Sequence, residues 1–395
     1  MIQAAIMGFG TVGSGVAEVL DKNAAVIARR AGEPIELKYI LDLRDFPDSP
    51  YADKVIHQFE TIESDPSVRL VAECMGGVGA ARNFVRRCLA AGKHVVTSNK
   101  ELVAAHGQEL LELAREHHVS FLFEASVGGG IPILRPLTDD LGGNVITDIC
   151  GILNGTTNYI LTKMSREGAA FDAVLRQAQQ MGYAEANPAA DIDGHDACRK
   201  LCILADLAYG SAVLPEQVPT AGITGVTAED MSFAAAAGLH IKLIARAKLL
   251  PDGRVWCCVS PHLLPGEHLL ASVDGVFNAG LIHGNAVDDV LFYGRGAGKL
   301  ATASAVVGDL IDCARHLDRH KDIGWAAGDG SHLAPADALP QRWYIRTAGA
   351  PLPGCTALPA AVPGQSACLT PPMPRAAALE LLGGSPALSI FPVLE

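Results

Sequence analysis

Basic charge is in short supply in this chain: 31 Lys and Arg stand against 43 Asp and Glu in 395 residues, a formal charge of −12. That balance, with no basic run or arm, argues against a nucleic-acid partner. No apolar stretch reaches the ~18 residues of a membrane span, so no membrane association is expected. The first strand-like run starts at Ile2, so no signal peptide is expected. None of the ten cysteines falls in a CxxC pair, although Cys257 and Cys258 are adjacent and Cys198 and Cys202 lie one helical turn apart. A zinc site is therefore not expected. A chain this long folds without disulfides, and reduced thiols in the cytoplasm are the expectation. What is present, 49% hydrophobic and 19% charged residues, suits an ordinary globular protein of two or three domains.

Through about residue 125, short apolar runs alternate with helical stretches. Strands are expected over Ile2–Met7, Ile35–Leu41, Leu70–Cys74, His94–Thr97 and Val119–Phe123, and helices over Val12–Arg30, Ala80–Ala91 and Leu102–His117. Near-continuous apolar strands alternating with helices predict an α/β domain, a doubly wound parallel (Rossmann) sheet. Beyond Glu124 strands are expected over Val145–Leu153, His240–Leu250, Arg254–Ser260 and Gly275–Ile282, with helices over 156–166, 171–181 and 193–209. Grouped strands of this kind predict an α+β domain over 126–299. A helix over Thr302–Leu317 would complete the first domain. Eleven of the 23 prolines lie beyond Trp325, which leaves residues 325–395 as a small α+β tail with one helix near Arg375–Leu382.

Gly8-x-Gly10-x-x-Gly13, between the first strand and helix, has the spacing that lets a backbone approach a pyrophosphate at a helix N-terminus; the alternative is a glycine-rich packing turn. The second strand ends in ILDLRD. Asp42 there would bond a ribose 2′-hydroxyl, favouring NAD, whereas Arg44 would pair with a 2′-phosphate, favouring NADP, and both stay open. Ser98, Asn99 and Lys100 follow a strand end, where open α/β sheets bind ligands. Ser98 and Glu101 have capping-box spacing, which puts Lys100 in the first helical turn, where a cation opposes the helix dipole and is better explained by a ligand anion. Glu124 and the glycines after it offer either a hard-cation site of oxygens or a tight packing loop. Asn154, Thr156, Thr157 and Asn158 bind polar groups or cap a helix; capping is the simpler reading.

In YAEANPAADIDGHDACRKLCILADLAYG (183–210), Asp196 and Lys200 stand four apart on one helix face. As a surface pair they would contribute only ~0.3–0.5 kcal/mol. Their stripe runs into Ile203 and Leu207, while Arg199 and Asp206 fall on a wetter one, so Lys200 is expected at the mouth of a cleft. A desolvated lysine there can release its proton near neutral pH, as a general acid/base must.

AQQMGYAEANPAADIDGHDACRK (178–200) resembles the signature of homoserine dehydrogenases. GFGTVGSGV, TSNKELVA, EASVGGGIP, GILNGTTNYIL and GAGKLATASAVVGDL resemble the same family and occur in its order over residues 1–320. The resemblance implies NAD(P)-dependent interconversion of L-homoserine and L-aspartate 4-semialdehyde, in threonine and methionine biosynthesis. It implies Lys200 as acid/base, oriented by Asp196, and Lys100 between nicotinamide and substrate. Glu185 and Asp191 would hold the substrate ammonium, with Gly182 lending backbone. Glu124 with the carbonyls of Val127, Gly129 and Ile131 would hold a monovalent cation, Na+ or K+. Phe9, Thr11 and Val12 would contact the pyrophosphate, and Gly298 the cofactor. Arg295, Leu300 and Ala301 stand where that family usually carries prolines. The tail resembles a shortened regulatory domain of the ACT type that lacks the acid before Pro353-Gly354. The resemblance also implies that the 126–299 domain serves substrate binding and dimerisation, and a homodimer or homotetramer is expected from it. The competing readings are another Rossmann-type amino-acid semialdehyde reductase, which gives no reason for the Asp191–Lys200 spacing, and a non-catalytic cofactor-binding sensor.

Overall fold

The structure, a computed structural model, describes residues 1–383 and 386–395. In chain order it begins with β1 (Ile2–Met7), α1 (Thr11–Lys22), α2 (Ala24–Ala31), β2 (Ile35–Leu41), β3 (Val55–Ile56), α3 (Glu60–Ser64) and β4 (Val68–Glu73). Then come α4 (Gly79–Ala90), β5 (His94–Thr97), α5 (Lys100–Glu116), β6 (Phe121–Leu122), β7 (Ile146–Ile152), α6 (Gly155–Glu167), α7 (Phe171–Gln180), α8 (Ala189–Ile192), α9 (His195–Tyr209) and α10 (Ala228–Ala236). After β8 (Leu239–Leu249), β9 (Val255–Pro265), β10 (Phe277–Gly284) and β11 (Asp288–Arg295) follows α11 (Lys299–Arg315). The chain ends with β12 (Trp343–Ala348), β13 (Thr356–Ala357), β14 (Gln365–Leu369), α12 (Arg375–Glu380) and β15 (Ser389–Pro392).

The chain divides into two compact units. One comprises 1–143, 202–214 and 294–327; the other comprises 144–201, 215–293 and 328–395. The first unit holds a six-stranded sheet in the order β3-β2-β1-β4-β5-β6, every pair parallel. This is the doubly wound order, in which the direction of winding reverses between β1 and β4. Strand β1 is buried on both faces, as the apolar run requires: Ile2, Ala4 and Ile6 join a cluster with Val16, Leu20, Val306 and Leu310 of α1 and α11, while Ala5 and Met7 are equally buried. The helix expected over Val12–Arg30 is two helices, broken at Asn23 (φ −108°, ψ 15°). Asparagine is a weak helix former, and the break lets Ile27 and Ala31 reach the same cluster.

The second unit holds an antiparallel sheet in the order β11-β10-β7-β8-β9 and a four-stranded sheet, β13-β14-β12-β15, formed by the tail. Strand β11 and helix α10 were not foreseen. Strand β11 is an edge with alternating exposure, and α10 is four-fifths Ala and polar residues with no strong apolar stripe. The tail has the strand order of a ferredoxin-like βαββαβ unit, but residues 349–355 cross from β12 to β13 where such a unit has its first helix. A buried ion pair anchors this sheet. Asp230 of α10 accepts from Arg346 Nε at 2.7 Å, from the Tyr344 hydroxyl at 3.0 Å and from Ser389 Oγ at 2.9 Å. Among the described residues no helix is long and apolar enough to cross a membrane.

Candidate functional site

The glycine motif of the first unit divides its work residue by residue. Gly8 has φ +93°, and a Cβ there would lie 2.9 Å from the Cys74 carbonyl. A Cβ on Gly13 would lie 1.9 Å from Gly8 O, so only glycine lets α1 come this close to the turn. Around Gly10 a Cβ would meet nothing within 4 Å. Gly10 is also the N-cap of α1 with no side chain capping it. The first-turn N–H groups lack intrahelical partners, and the space beside Gly10 is open, which together suit a pyrophosphate. Gly298 (φ +124°) caps α11, whose first residue abuts α1: a Cβ on Gly15 would lie 2.7 Å from Lys299 O.

Asp42 and Arg44 are partners here. The Asp42 carboxylate accepts the Phe9 N–H at 2.7 Å, and the Arg44 N–H and Nε at 3.0 Å each. Burial pushes the Asp42 carboxyl up, but these Arg44 and Phe9 donors outweigh it and hold it at about 2. The acid thus ties the glycine turn to the end of β2, and the exposed Arg44 lies 5.0 Å over the Phe46 ring.

Lys100 is the first residue of α5, as expected, but the cap is not Ser98. Asn99 is the N-cap, its side chain accepting the Leu102 N–H at 3.1 Å. Ser98 instead donates its N–H to Glu73 O at 3.3 Å. The capping-box spacing of Ser98 and Glu101 is outcompeted because Asn99, one residue later, is at least as good a cap. Glu73 itself was missed. It ends β4 fully buried, and burial pushes its carboxyl up to about 7 against the bonds it accepts. An acid closing an apolar strand, as in VRLVAE, was the available signal.

The Glu124 carboxylate is not free to face an ion. Oε1 accepts the N–H groups of Ile133 and Leu134 at 2.7 and 2.9 Å, and Oε2 that of Arg135 at 2.7 Å. Behind it the buried Asp309 accepts the Glu124 N–H at 2.8 Å and pairs with Arg135. Burial and the Glu124 charge lift the Asp309 carboxyl to about 7, with Arg135 opposing. Among the described residues no group of three or more His, Cys, Asp or Glu is placed to hold a metal ion. The expected carboxylate ligand is thereby corrected, and only backbone carbonyls of this loop remain as candidate donors. Gly128 (φ +71°) and Gly129 (φ +58°) reverse it, and a Cβ on Gly129 would lie 2.4 Å from Gly296 O.

The second unit assembles the other cluster. Lys200 Nζ donates to Asp196 Oδ2 and to Leu153 O, both at 2.7 Å. Asn154 Nδ2 bridges Asp191 Oδ1 at 2.7 Å and Asp196 Oδ2 at 2.8 Å, while its Oδ1 accepts the Thr157 N–H at 2.8 Å and caps α6. Asn154 therefore caps and also joins the two acids. Lys200 is 8% exposed and Asp196 4%, so this is a buried pair and not the surface pair of an i, i+4 helix face. Burial also pushes the Asp191 carboxyl up, the Asn154 bond opposing it. Gly182 (φ +73°) and Glu185 lie in an exposed turn, and the Glu185 carbonyl accepts from Gln179 Nε2 at 3.1 Å. Asp206 is not on a wet stripe: it is 2% exposed and accepts the Val213 N–H at 2.6 Å. The helix is buried nearly all round, so its polar residues do not mark a solvated face.

Two family models match the chain: the homoserine dehydrogenase NAD-binding domain over residues 8–124, and homoserine dehydrogenase over 132–311. The homoserine dehydrogenase of Synechocystis sp. is 41% identical over 372 residues, covering 89% of this chain and 84% of its own length. That of Pseudomonas aeruginosa is 39% identical over 364 residues, covering 90% and 84%. Among solved structures, a homoserine dehydrogenase from Thiobacillus denitrificans is similar with a TM-score of 0.88 and 34% identity, covering 100% of this chain and 98% of that one. A hyperthermophilic archaeal homoserine dehydrogenase in complex with NADPH is similar with a TM-score of 0.67 and 29% identity, covering 79% and 97%.

Proposed function

The chain belongs to the homoserine dehydrogenase family, and on that premise we propose how its residues divide the reaction. It is an NAD(P)-dependent oxidoreductase that interconverts L-homoserine and L-aspartate 4-semialdehyde, a step of threonine and methionine biosynthesis. The bound dinucleotide supplies the hydride acceptor in one direction and the donor in the other. Gly8, Phe9, Gly10, Thr11, Val12 and Gly13 would hold its pyrophosphate, with Ser98 and Gly298 as further contacts. The open space at Gly10 and the uncapped start of α1 support that placement.

The observation that carries the chemistry is the buried cluster of Lys200, Asp196, Asn154 and Asp191. Lys200 Nζ takes the substrate hydroxyl proton during oxidation and returns it during reduction, and Asp196 with Leu153 O fixes the direction of the amine. Asp191 and Glu185 take the ammonium, with Gly182 lending backbone. Burial disfavours the ionised Asp191 carboxylate, and an arriving ammonium would offset that cost by favouring the charged form. Lys100, at the start of α5, stabilises negative charge and assists the proton transfer. A monovalent cation, Na+ or K+, would rest on the carbonyls of Glu124, Val127, Gly129 and Ile131, hard oxygens of the kind such ions prefer. Arg44 supports use of NADP alongside NAD. A homodimer or homotetramer is supported by the edge strand β11, which leaves Leu291 and Tyr293 38% and 54% exposed.

The test is reduction of NADP or NAD by the purified protein with L-homoserine, followed by absorbance beside other amino alcohols. Turnover with L-homoserine alone is the expected result. Equal turnover with simpler amino alcohols would assign a different semialdehyde reductase, and none with any of them would favour a sensor.

A further inference from the structure

Glu73 is a buried acid that none of these roles uses. It closes β4 beside the point where the winding of the sheet reverses, in register with Met7 of β1 and Thr97 of β5. Ligands of doubly wound sheets bind outside the carboxyl ends of the strands at that point. One carboxylate oxygen accepts the Thr97 hydroxyl, and the other accepts the Met75 N–H at 2.7 Å. Thr97 Oγ1 in turn accepts the Asn99 N–H at 2.9 Å. The Asn99 side chain donates to Gly77 O at 2.7 Å and accepts the Leu102 N–H at 3.1 Å. One continuous chain of hydrogen bonds therefore runs from Glu73 through both strand-end turns, 74–77 and 97–99, to the first turn of α5. Lys100 is the residue that chain encloses.

A packing role alone does not account for an acid here. Burying a carboxylate costs free energy unless something needs its charge or its two acceptors, and burial pushes this carboxyl up to about 7. The apolar neighbours Val71 and Ala72 fill the same strand without that cost.

We propose that Glu73 is a positioning residue of the reaction, which through Thr97 and Asn99 fixes the turn that presents Lys100 to the reacting groups. The proposal rests on the role given to Lys100 above. It assigns no proton transfer to Glu73; the acid acts by holding a geometry, and small misplacements of a reacting group are costly to rate.

The test compares Glu73→Gln, Thr97→Val, Thr97→Ser, the Glu73→Gln/Thr97→Val double variant and Lys100→Ala in homoserine oxidation, with NADPH binding read by fluorescence. Glu73→Gln and Thr97→Val are each expected to lower kcat about 10- to 100-fold. KM for homoserine and NADPH affinity stay within a few-fold, and Thr97→Ser keeps near-normal kcat because its hydroxyl remains. The double variant falls no further than the weaker single one, since both break the same chain. Losses that multiply in the double variant, or a Thr97→Ser as slow as Thr97→Val, would overturn the proposal. So would normal kcat in Glu73→Gln and Thr97→Val while Lys100→Ala is slow, which leaves the reading of Lys100 intact. Normal kcat in Lys100→Ala removes that reading and this proposal together. Should Glu73→Gln fail to fold, the Thr97 pair alone decides.

Discussion

Replacing Glu124 by Gln should destabilise the fold by an amount that its three hydrogen bonds set. The carboxylate meets N–H groups of Ile133 and Leu134 on Oε1 and of Arg135 on Oε2, all at 2.7–2.9 Å. An amide has one acceptor oxygen. With that oxygen on the doubly used side, the part-buried Arg135 N–H faces an NH2 group and is left unpaired, at ~1–3 kcal/mol. The two remaining bonds lose their charge assistance, about 1 kcal/mol each. Against this, removing the negative charge relieves the repulsion that helps to lift Asp309. The net cost is ~2–4 kcal/mol, read as a lower urea midpoint in fluorescence-monitored unfolding at unchanged slope. A midpoint shift equivalent to less than about 0.5 kcal/mol would refute the reasoning, since a surface substitution does as much. Under conditions where the variant stays folded, any response of activity to Na+ or K+ should persist, because the proposed donors are carbonyls.

Three other perturbations have defined outcomes. Arg44→Ala should weaken NADP binding more than NAD binding, because only NADP has a 2′-phosphate for the guanidinium; an equal effect on both KM values would show that Arg44 does not read that phosphate. Arg346→Met leaves Asp230 buried without its cation and should cost roughly 3–5 kcal/mol in unfolding experiments, whereas a change below about 1 kcal/mol would mean the tail is held by its apolar core alone. Glu73, raised by burial to about 7, binds its proton more tightly in the folded state than in the unfolded one. Its contribution to stability is therefore present below pH ~4 and lost as pH rises through ~7. Glu73→Gln should accordingly gain on the unsubstituted protein by up to ~3 kcal/mol between those limits; a pH-independent difference would contradict the buried-acid account.

How legible all this was depends on the range over which each signal acts. The doubly wound sheet is written locally, in apolar runs of strand length and in glycines whose Cβ atoms would collide with Cys74 and with Gly8 itself. Lys200 and Asp196 were readable because one helix carries both at i, i+4. Their burial was only partly so: the same helix buries Asp206, which a stripe argument placed in water, because other parts of the chain cover that side. Asn154 looked like a cap and is one, but its bridge to Asp191 and Asp196 spans 37 and 42 residues, and no local pattern encodes it. Glu124 misled for the same reason. A carboxylate followed by glycines looks like a ligand until the N–H groups nine to eleven residues on are seen to occupy it. Glu73 shows the converse, since its role emerges only where β4 and β5 lie side by side.

The central claim is that Lys200 moves the proton, and Lys200→Arg tests it most directly. Arginine keeps the positive charge beside Asp196 but cannot give up its proton at working pH. The account predicts a folded protein that still binds NAD(P)H while kcat for homoserine oxidation falls ~10²–10⁴-fold. Near-normal turnover in Lys200→Arg would contradict it and move the acid/base role to Lys100.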